Sequence, residues 1–166
     1  PVYLGGLFSY DLVANFIPMD NITLQNDGLS CPDYSFYLAE QLLFIDHQAQ
    51  TATLNTFCFN PAEQAILSQQ AVEFAEKLAN APTNFSLPIQ TANAEAVANL
   101  EDEPFKEIIR KLKHHIHVGD VFQIVPSRRF SLPCPNTLAS YRQLKMNNPS
   151  PYMFFIQDED FTLFGA

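Results

Sequence analysis

Two short segments contain the residues whose types and spacing could support chemistry. The first, residues 119–130, reads GDVFQIVPSRRF and holds one amide, Gln123, among branched apolar residues. We expect a strand over residues 120–132, in which Gln123 shares a face with Val121 and Val125. An amide buried there must find hydrogen-bond partners or cost about 1–3 kcal/mol. The residues alone therefore do not distinguish a structural role for Gln123 from a functional one.

The second segment, residues 148–153, reads NPSPYM. Its two prolines fix φ, remove two backbone donors and favour an extended conformation in the residues before them. This predicts a rigid turn after Pro151 that presents the ring of Tyr152 and the thioether of Met153 at a set angle. From the residues alone, an ordinary connection between a helix and a strand explains the segment best.

Other polar clusters favour solvated surface over a site. His114, His115 and His117 lie near the end of a predicted helix, where cations are favourable, and no carboxylate or cysteine follows at metal-ligand spacing. The Asp-Glu-Asp run at 158–160 is typical of a hairpin turn. Gly5 and Gly6 lack the spacing of a phosphate-binding loop. The residues thus predict neither a metal site nor a nucleophile.

The composition narrows the class of protein. Of the 166 residues 47% are hydrophobic, which indicates a folded chain, and the net charge of −9 argues against a nucleic-acid partner. No apolar run approaches the roughly 18 residues of a membrane span, and no secretory signal is recognisable. Three widely spaced cysteines predict free thiols in a cytoplasmic protein. An anionic ligand would find its local cations chiefly in Arg128 and Arg129.

The order of predicted elements indicates an α+β fold. An apolar strand over 34–47, buried on both faces, would pair as a hairpin with 51–59. The remaining predictions are a strand over 2–11, a hairpin over 153–164, a helix capped by Asn60 that starts at Pro61, a helix from Pro104 that ends at Gly119, and a helix over 137–146 with Leu138, Tyr141 and Leu144 inward.

These segments resemble one known family. Residues 119–130, the run NPSPYMFF at 148–155 and the run GGLFSYD at 5–11 are similar to anthranilate synthase component I, a family of chorismate-utilising enzymes. The resemblance spans most of the chain and is weakest over 60–100. It implies an α+β sandwich of two orthogonally packed sheets. Within it, we expect lobe strands and a helix over 1–80, a linker over 81–101, and the start of the chorismate-binding region over 102–166.

The resemblance assigns roles to the two segments. In relatives that add water to chorismate, the position of Gln123 is a lysine that activates the water, and a glutamine cannot act as a base near neutral pH. It therefore implies ammonia as the nucleophile, with Gln123 lining the substrate pocket and no catalytic residue within this chain. Pro151, Tyr152 and Met153 match the motif that binds L-tryptophan as feedback inhibitor.

The resemblance also implies what the full-length enzyme needs. It would be a lyase that converts chorismate and ammonia to anthranilate, with Mg²⁺ as cofactor and a glutamine amidotransferase subunit as partner. We expect an internal fragment, because the family's metal ligands and most catalytic residues would follow Ala166 and part of the tryptophan pocket would precede Pro1. Such a fragment would be inactive alone and would self-associate through uncovered strands at 34–38 and 163–164.

Two alternatives stay open. Aminodeoxychorismate synthase component I, of the folate pathway, shares the fold and the substrate and differs in its product. A non-catalytic module that binds an aromatic amino acid at Tyr152 belongs to a different class of protein.

Overall fold

The computed structural model describes residues 2–18, 31–82 and 94–166. Helices alternate with short antiparallel strands, which agrees with the α+β class predicted from the sequence. The strands are β1 (Leu4–Phe8), β2 (Tyr34–Leu38), β3 (Gln41–Asp46), β4 (Thr51–Thr56), β5 (Val97–Ala98), β6 (Phe130–Ser131), β7 (Phe154–Gln157) and β8 (Thr162–Gly165); the helices are α1 (Gln64–Ala79), α2 (Asp102–His117) and α3 (Thr137–Asn147).

The chain divides into two compact units. One comprises Pro1–Phe85 with Glu159–Phe161, and the other comprises Ser86–Asp158 with Thr162–Ala166. The predicted linker, 81–101, includes residues outside the described part of the chain and also holds the short strand β5. The predicted division at 80 and 102 therefore stays a prediction.

The first unit contains two separate two-stranded sheets. β1 pairs with β2, and Leu4 lies opposite Leu38 while Phe8 lies opposite Tyr34. A 3-10 helix, Tyr10–Asn15, follows β1 directly, so the predicted strand over 2–11 is shorter than expected. β3 pairs with β4, which confirms the hairpin predicted for the strand that begins at Thr51.

Local hydrogen bonds explain the turn of the second hairpin and the start of α1. The carboxylate of Asp46 accepts bonds from the backbone N–H groups of Gln48 and Ala49, at 2.8 and 2.9 Å. Asn60 accepts a bond from Ala62 N at 3.2 Å, and its backbone leads through a short 3-10 turn into α1. The predicted cap at Asn60 is thereby confirmed.

The prediction of one long strand over 34–47, buried on both faces, was wrong. The chain breaks near Ala39, and its two halves, β2 and β3, pair with different partners in different sheets. β2 alternates between exposed and half-buried residues instead of being buried throughout. An unbroken apolar run does not reveal a change of partner, because pairing is decided by strands distant in sequence.

The second unit is built from α2, α3 and two short sheets. β5 pairs with β6, and β7 pairs with β8 in the predicted hairpin, where Gln157 lies opposite Thr162. Asn136 caps α3 by accepting from Ala139 N at 3.0 Å. Ala139 is the buried residue of α3, while Leu138 is exposed, so the expected inward position of Leu138 was wrong.

The strand predicted over 120–132 was also wrong for most of its length. Only Phe130–Ser131 forms a strand, and the residues before it are irregular. The strand is short because its partner is short: among the described residues β6 pairs with β5, which has only two residues. A β-branched sequence forms a ladder only where another backbone lies alongside.

Candidate functional site

The segment with Gln123 leaves α2 through a well-formed helix end. Gly119 adopts φ +86°, and its N–H donates to Ile116 O at 3.2 Å while Asp120 N donates to His115 O at 3.0 Å. This pattern is a Schellman motif, and it confirms Gly119 as the predicted end of the helix. His115 Nδ1 also lies 2.8 Å from Asp120 Oδ2, which ties the first residues of the segment to the last turn of α2.

Gln123 itself is exposed. Among its neighbours Val121 and Ile124 are half-buried, whereas Phe122 is fully exposed at 104%. Val121, Gln123 and Val125 were predicted to share one face of a strand. The structure has no strand at these residues, so that prediction was wrong. The expectation that Gln123 lines a substrate pocket stays a prediction.

Arg128 ends this segment and connects it to the start of α2. Its Nη1 donates to Asp102 Oδ1 at 2.6 Å and to Leu100 O at 3.2 Å. The guanidinium carbon also lies 5.1 Å from the ring centre of Phe105 and 4.7 Å from that of Phe130, so the planar cation lies between two aromatic rings. The Arg128 side chain is 21% exposed and that of Asp102 is 70% exposed.

The backbone beside Arg128 is held as well. Asn99 N donates to Arg129 O at 3.0 Å, and Arg129 N donates to Asn99 Oδ1 at 2.8 Å. These bonds extend the β5–β6 pairing by one position. The sequence indicated Arg128, together with Arg129 and a few lysines, as local cations for an anionic ligand, whereas in the structure Arg128 is paired with Asp102.

Pro151, Tyr152 and Met153 lie in the turn between α3 and β7. Tyr152 N donates a long bond, 3.4 Å, to Ser150 Oγ, and the Tyr152 side chain is 86% exposed. Met153 is half-buried. The Tyr152 ring is therefore exposed between α3 and β7, the rigidity of the turn stays a prediction, and Gln123 lies in a different segment of the same unit.

An aromatic cluster supports the strands that follow this turn. The ring of Tyr141 on α3 lies 5.4 Å from that of Phe155 and 6.0 Å from that of Phe164, and the last two rings stack at 6.0 Å. Leu163 is exposed, as expected for an uncovered strand at 163–164, whereas Phe164 is half-buried, so the expectation was wrong for Phe164. Beside the cluster is an open cleft of about 400 Å³, lined by Leu132, Pro133, Cys134, Thr137, Ser140, Thr162 and Phe164.

Comparison with known proteins identifies the family. The whole chain, residues 1–166, matches the model of the chorismate binding enzymes.

The chain belongs to this family.

Relatives of the chain carry a common name. The chain is 63% identical over 166 residues to the anthranilate synthase component 1 of Haemophilus influenzae, covering 100% of this chain and 32% of that protein. It is 50% identical to the protein of that name from Vibrio cholerae and 45% identical to that from Escherichia coli, covering 99% of this chain and 31% of each relative. The chain thus spans about a third of the length of these curated relatives.

A solved structure agrees. Anthranilate synthase component I from Streptococcus pneumoniae superposes with a TM-score of 0.77 at 21% identity, covering 97% of this chain and 37% of that one. At this identity the likeness shows the fold alone. It confirms the fold class predicted for the chain.

The described residues of the chain hold no side-chain cluster that fits a metal ion. Among residues 2–18, 31–82 and 94–166, no group of three or more His, Cys, Asp or Glu side chains could hold one. Cys31, Cys58 and Cys134 are free and exposed. Within the same residues, no helix has the length and apolar character needed to cross a bilayer.

Sequence reasoning missed the contact between Arg128 and Asp102. The two residues lie 26 positions apart and form no local motif, so spacing gave no signal for their pairing. An arginine between two phenylalanines becomes recognisable only when the pairing of β5 with β6 brings Phe130 back beside α2. In contrast, the Gly119 helix end and the turn at Pro151 were found because their signals are local.

Proposed function

We propose that the longer protein containing this chain is an anthranilate synthase component 1, a lyase that converts chorismate and ammonia to anthranilate and pyruvate. The observation that carries the proposal is the 63% identity, over the whole chain, to the Haemophilus influenzae protein of that name. The family match over residues 1–166 supports chorismate as the substrate.

Gln123 is proposed to line the chorismate pocket. An amide is neutral near pH 7 and cannot remove a proton from water, whereas ammonia is a nucleophile without such help. A glutamine at this position is therefore compatible with amination of the ring. Gln123 would orient substrate or exclude water, and the proton transfers would belong to residues outside this chain.

Pro151, Tyr152 and Met153 are proposed to bind L-tryptophan as a feedback inhibitor. The support is chemical: an exposed ring and a thioether on a turn with a fixed backbone suit an aromatic ligand. Inhibition would follow if tryptophan binds an inactive arrangement more tightly than the active one.

The cofactor and partner are proposed for the longer protein. Mg²⁺ would have its ligands outside this chain. The name "component 1" of the relatives implies a second component, which we propose to be a glutamine amidotransferase that supplies ammonia. Three exposed free thiols support a cytoplasmic location, because oxidising compartments favour disulfides.

The test is a fluorescence assay on the longer protein. Chorismate, ammonium and Mg²⁺ are added with and without L-tryptophan, and the emission of anthranilate is followed. Anthranilate emission that tryptophan suppresses is the expected result. Consumption of chorismate without emission would contradict the proposal and favour aminodeoxychorismate as the product, and tryptophan binding without turnover would favour a binding module.

A further inference from the structure

Three stretches of the second unit meet at one side chain. Arg128 donates to the carbonyl of Leu100, which follows β5, and to the carboxylate of Asp102, the first residue of α2. Its guanidinium also lies between the rings of Phe105 and Phe130. Arg128 thus joins β5, the first turn of α2 and the end of the segment that carries Gln123.

This contact fixes one end of a segment whose other end is already fixed. α2 has 16 residues and is therefore about 24 Å long. At its C-terminal end the Schellman motif and the His115–Asp120 contact hold residues 119 and 120. At its N-terminal end Asp102 holds Arg128. The residues between must run back along the helix, although they form no regular strand.

We infer that Arg128 is a positioning residue: by tying the end of segment 119–128 to the first turn of α2, it sets the place of Gln123. The inference rests on the proposed function, since Gln123 is assigned to the chorismate pocket there. Arg128 itself touches neither substrate nor cofactor in this assignment. It acts through the backbone of the segment that it anchors.

The chemistry of arginine suits this role better than that of lysine. A planar guanidinium stacks on two rings and still donates from its edge, whereas an ammonium is a hydrated point charge. The side chain is 21% exposed, so its contacts are partly shielded from water. One backbone bond, from Asn99 N to Arg129 O, and one bond from Arg129 N to the Asn99 side-chain Oδ1 hold the neighbouring peptide, so the Arg128 contacts lie at the point where the segment joins the β5–β6 pairing.

The experiment compares four forms of the longer protein: wild type, Arg128→Met, Arg128→Lys and Arg110→Met. Arg110 is the matched control, because it lies on α2, the helix of Asp102, and pairs with Glu107 at 2.9 Å but is 63% exposed. Each form is assayed for KM and kcat with chorismate. Hydrogen exchange is measured in parallel on peptides covering residues 119–131 and, as an internal reference, residues 41–56.

We expect Arg128→Met to raise the KM for chorismate by about tenfold, since small misplacements of pocket residues have effects of that order or larger. Exchange over 119–131 should quicken while exchange over 41–56 stays unchanged. Arg128→Lys should fall between Arg128→Met and wild type, and Arg110→Met should match wild type. A merely structural role would lower the folded fraction and kcat per total protein but leave KM as it was.

Every outcome of this experiment either supports or overturns the inference about Arg128. An unchanged KM in folded Arg128→Met overturns the inference, whatever the exchange shows. If Arg128→Met does not fold, Arg128→Lys takes its place, and an unchanged KM there is equally decisive. If wild type makes no anthranilate, the proposed function fails by itself; exchange then tests the anchoring alone, and unchanged exchange over 119–131 would overturn that as well.

Discussion

Asp102 shows how one contact alters the acid chemistry of a side chain. The hydrogen bond from Arg128, followed by the attraction of its charge, lowers the pKa of the Asp102 carboxyl from its ordinary value of 3.8. Slight burial acts in the opposite direction, and Lys106 adds a further small lowering. The pair therefore favours the ionised carboxylate, and with it the folded state, at neutral pH.

The pH dependence of stability follows from the direction of this shift. Because the folded pKa is lower than the unfolded one, the stabilisation is fully present above the unfolded pKa of 3.8 and is lost as pH falls through the folded value. We expect Asp102→Asn to lower the unfolding midpoint of the longer protein at pH 7, and the difference from wild type to shrink at pH values below 3.8. Thermal unfolding across this range measures it. A difference independent of pH would contradict the ion pair as its cause.

Tyr152 offers a separate test of the proposed tryptophan site. Its side chain is 86% exposed, so Tyr152→Ala should leave the unfolding midpoint nearly unchanged. If Tyr152 contacts the inhibitor, the same change should raise the tryptophan concentration for half-inhibition by about tenfold or more, the loss of roughly 1.4 kcal/mol of binding. Inhibition curves with anthranilate as the readout measure the shift.

Tyr10→Ala is the control for that measurement, since Tyr10 is 91% exposed and belongs to the other unit. It should leave inhibition as in wild type. Equal sensitivity to tryptophan in all three forms would remove Tyr152 from the site.

At the scale of elements, the two units use the same pairing of glycine with an aromatic ring. Gly6 on β1 lies opposite Phe36 on β2, and Gly165 on β8 lies opposite Phe154 on β7. A Cβ added at Gly6 would lie 2.4 Å from the Phe36 ring, and one at Gly165 would lie 2.8 Å from the Phe154 ring. In both sheets the ring covers the space that a side chain would take, as designed sheets do deliberately.

Adjacent glycines in β1 allow a matched test of this arrangement. At Gly6 a Cβ would also come 2.3 Å from the backbone carbonyl of Ser35, which cannot move without breaking the pairing, so Gly6→Ala should lower the unfolding midpoint. At Gly5 the nearest atom is in the flexible side chain of Tyr3, at 3.0 Å, and alanine is the better strand residue by roughly 0.5–1 kcal/mol. Gly5→Ala should therefore be neutral or stabilising. Equal loss from both changes would contradict the close approach.

Elements with local signals were predictable, and those with distant partners were not. Asn60, Gly119 and the turn at Pro151 depend on neighbours within a few residues, so capping and turn chemistry located them. The break between β2 and β3 depends on β1 and β4, and the pairing that ends the irregular segment before Phe130 depends on β5. For the same reason sequence and resemblance could select Gln123 and Tyr152 but gave no sign of the Arg128 contacts.

At the scale of the whole molecule, apolar surface is exposed in the described part of the chain. Only Leu67 and Ala139 are buried hydrophobic residues there. One face of the β1–β2 sheet consists largely of exposed apolar side chains: Leu4 60%, Phe8 67%, Tyr34 62%, Phe36 43% and Leu38 50%. The predicted exposure of the strand at 34–38 is thereby confirmed. Contiguous apolar faces of this kind usually mark contact surfaces.

The 166-residue chain on its own should therefore associate with itself. Sedimentation velocity over a range of concentrations is expected to show species larger than a monomer, and Leu4→Ser with Leu38→Ser should reduce them, because these directly paired residues lie on the exposed face. The same sedimentation measurement on the longer protein is the reference, and it shows how much of the association is specific to the 166-residue chain. A single monomeric species at high concentration would contradict the prediction.

The spacing of the paired strands also has a consequence during synthesis on the ribosome. Strands β3 and β4 are joined by residues 47–50, so this hairpin can close within microseconds of emerging. β1 instead waits until residues 34–38 have been added, which at synthesis rates of about 5–20 residues per second takes roughly 2–6 s. During those seconds Leu4 and Phe8 lack the β2 residues that lie opposite them in the folded sheet, and a nascent chain presents them to any chaperone stationed at the exit tunnel.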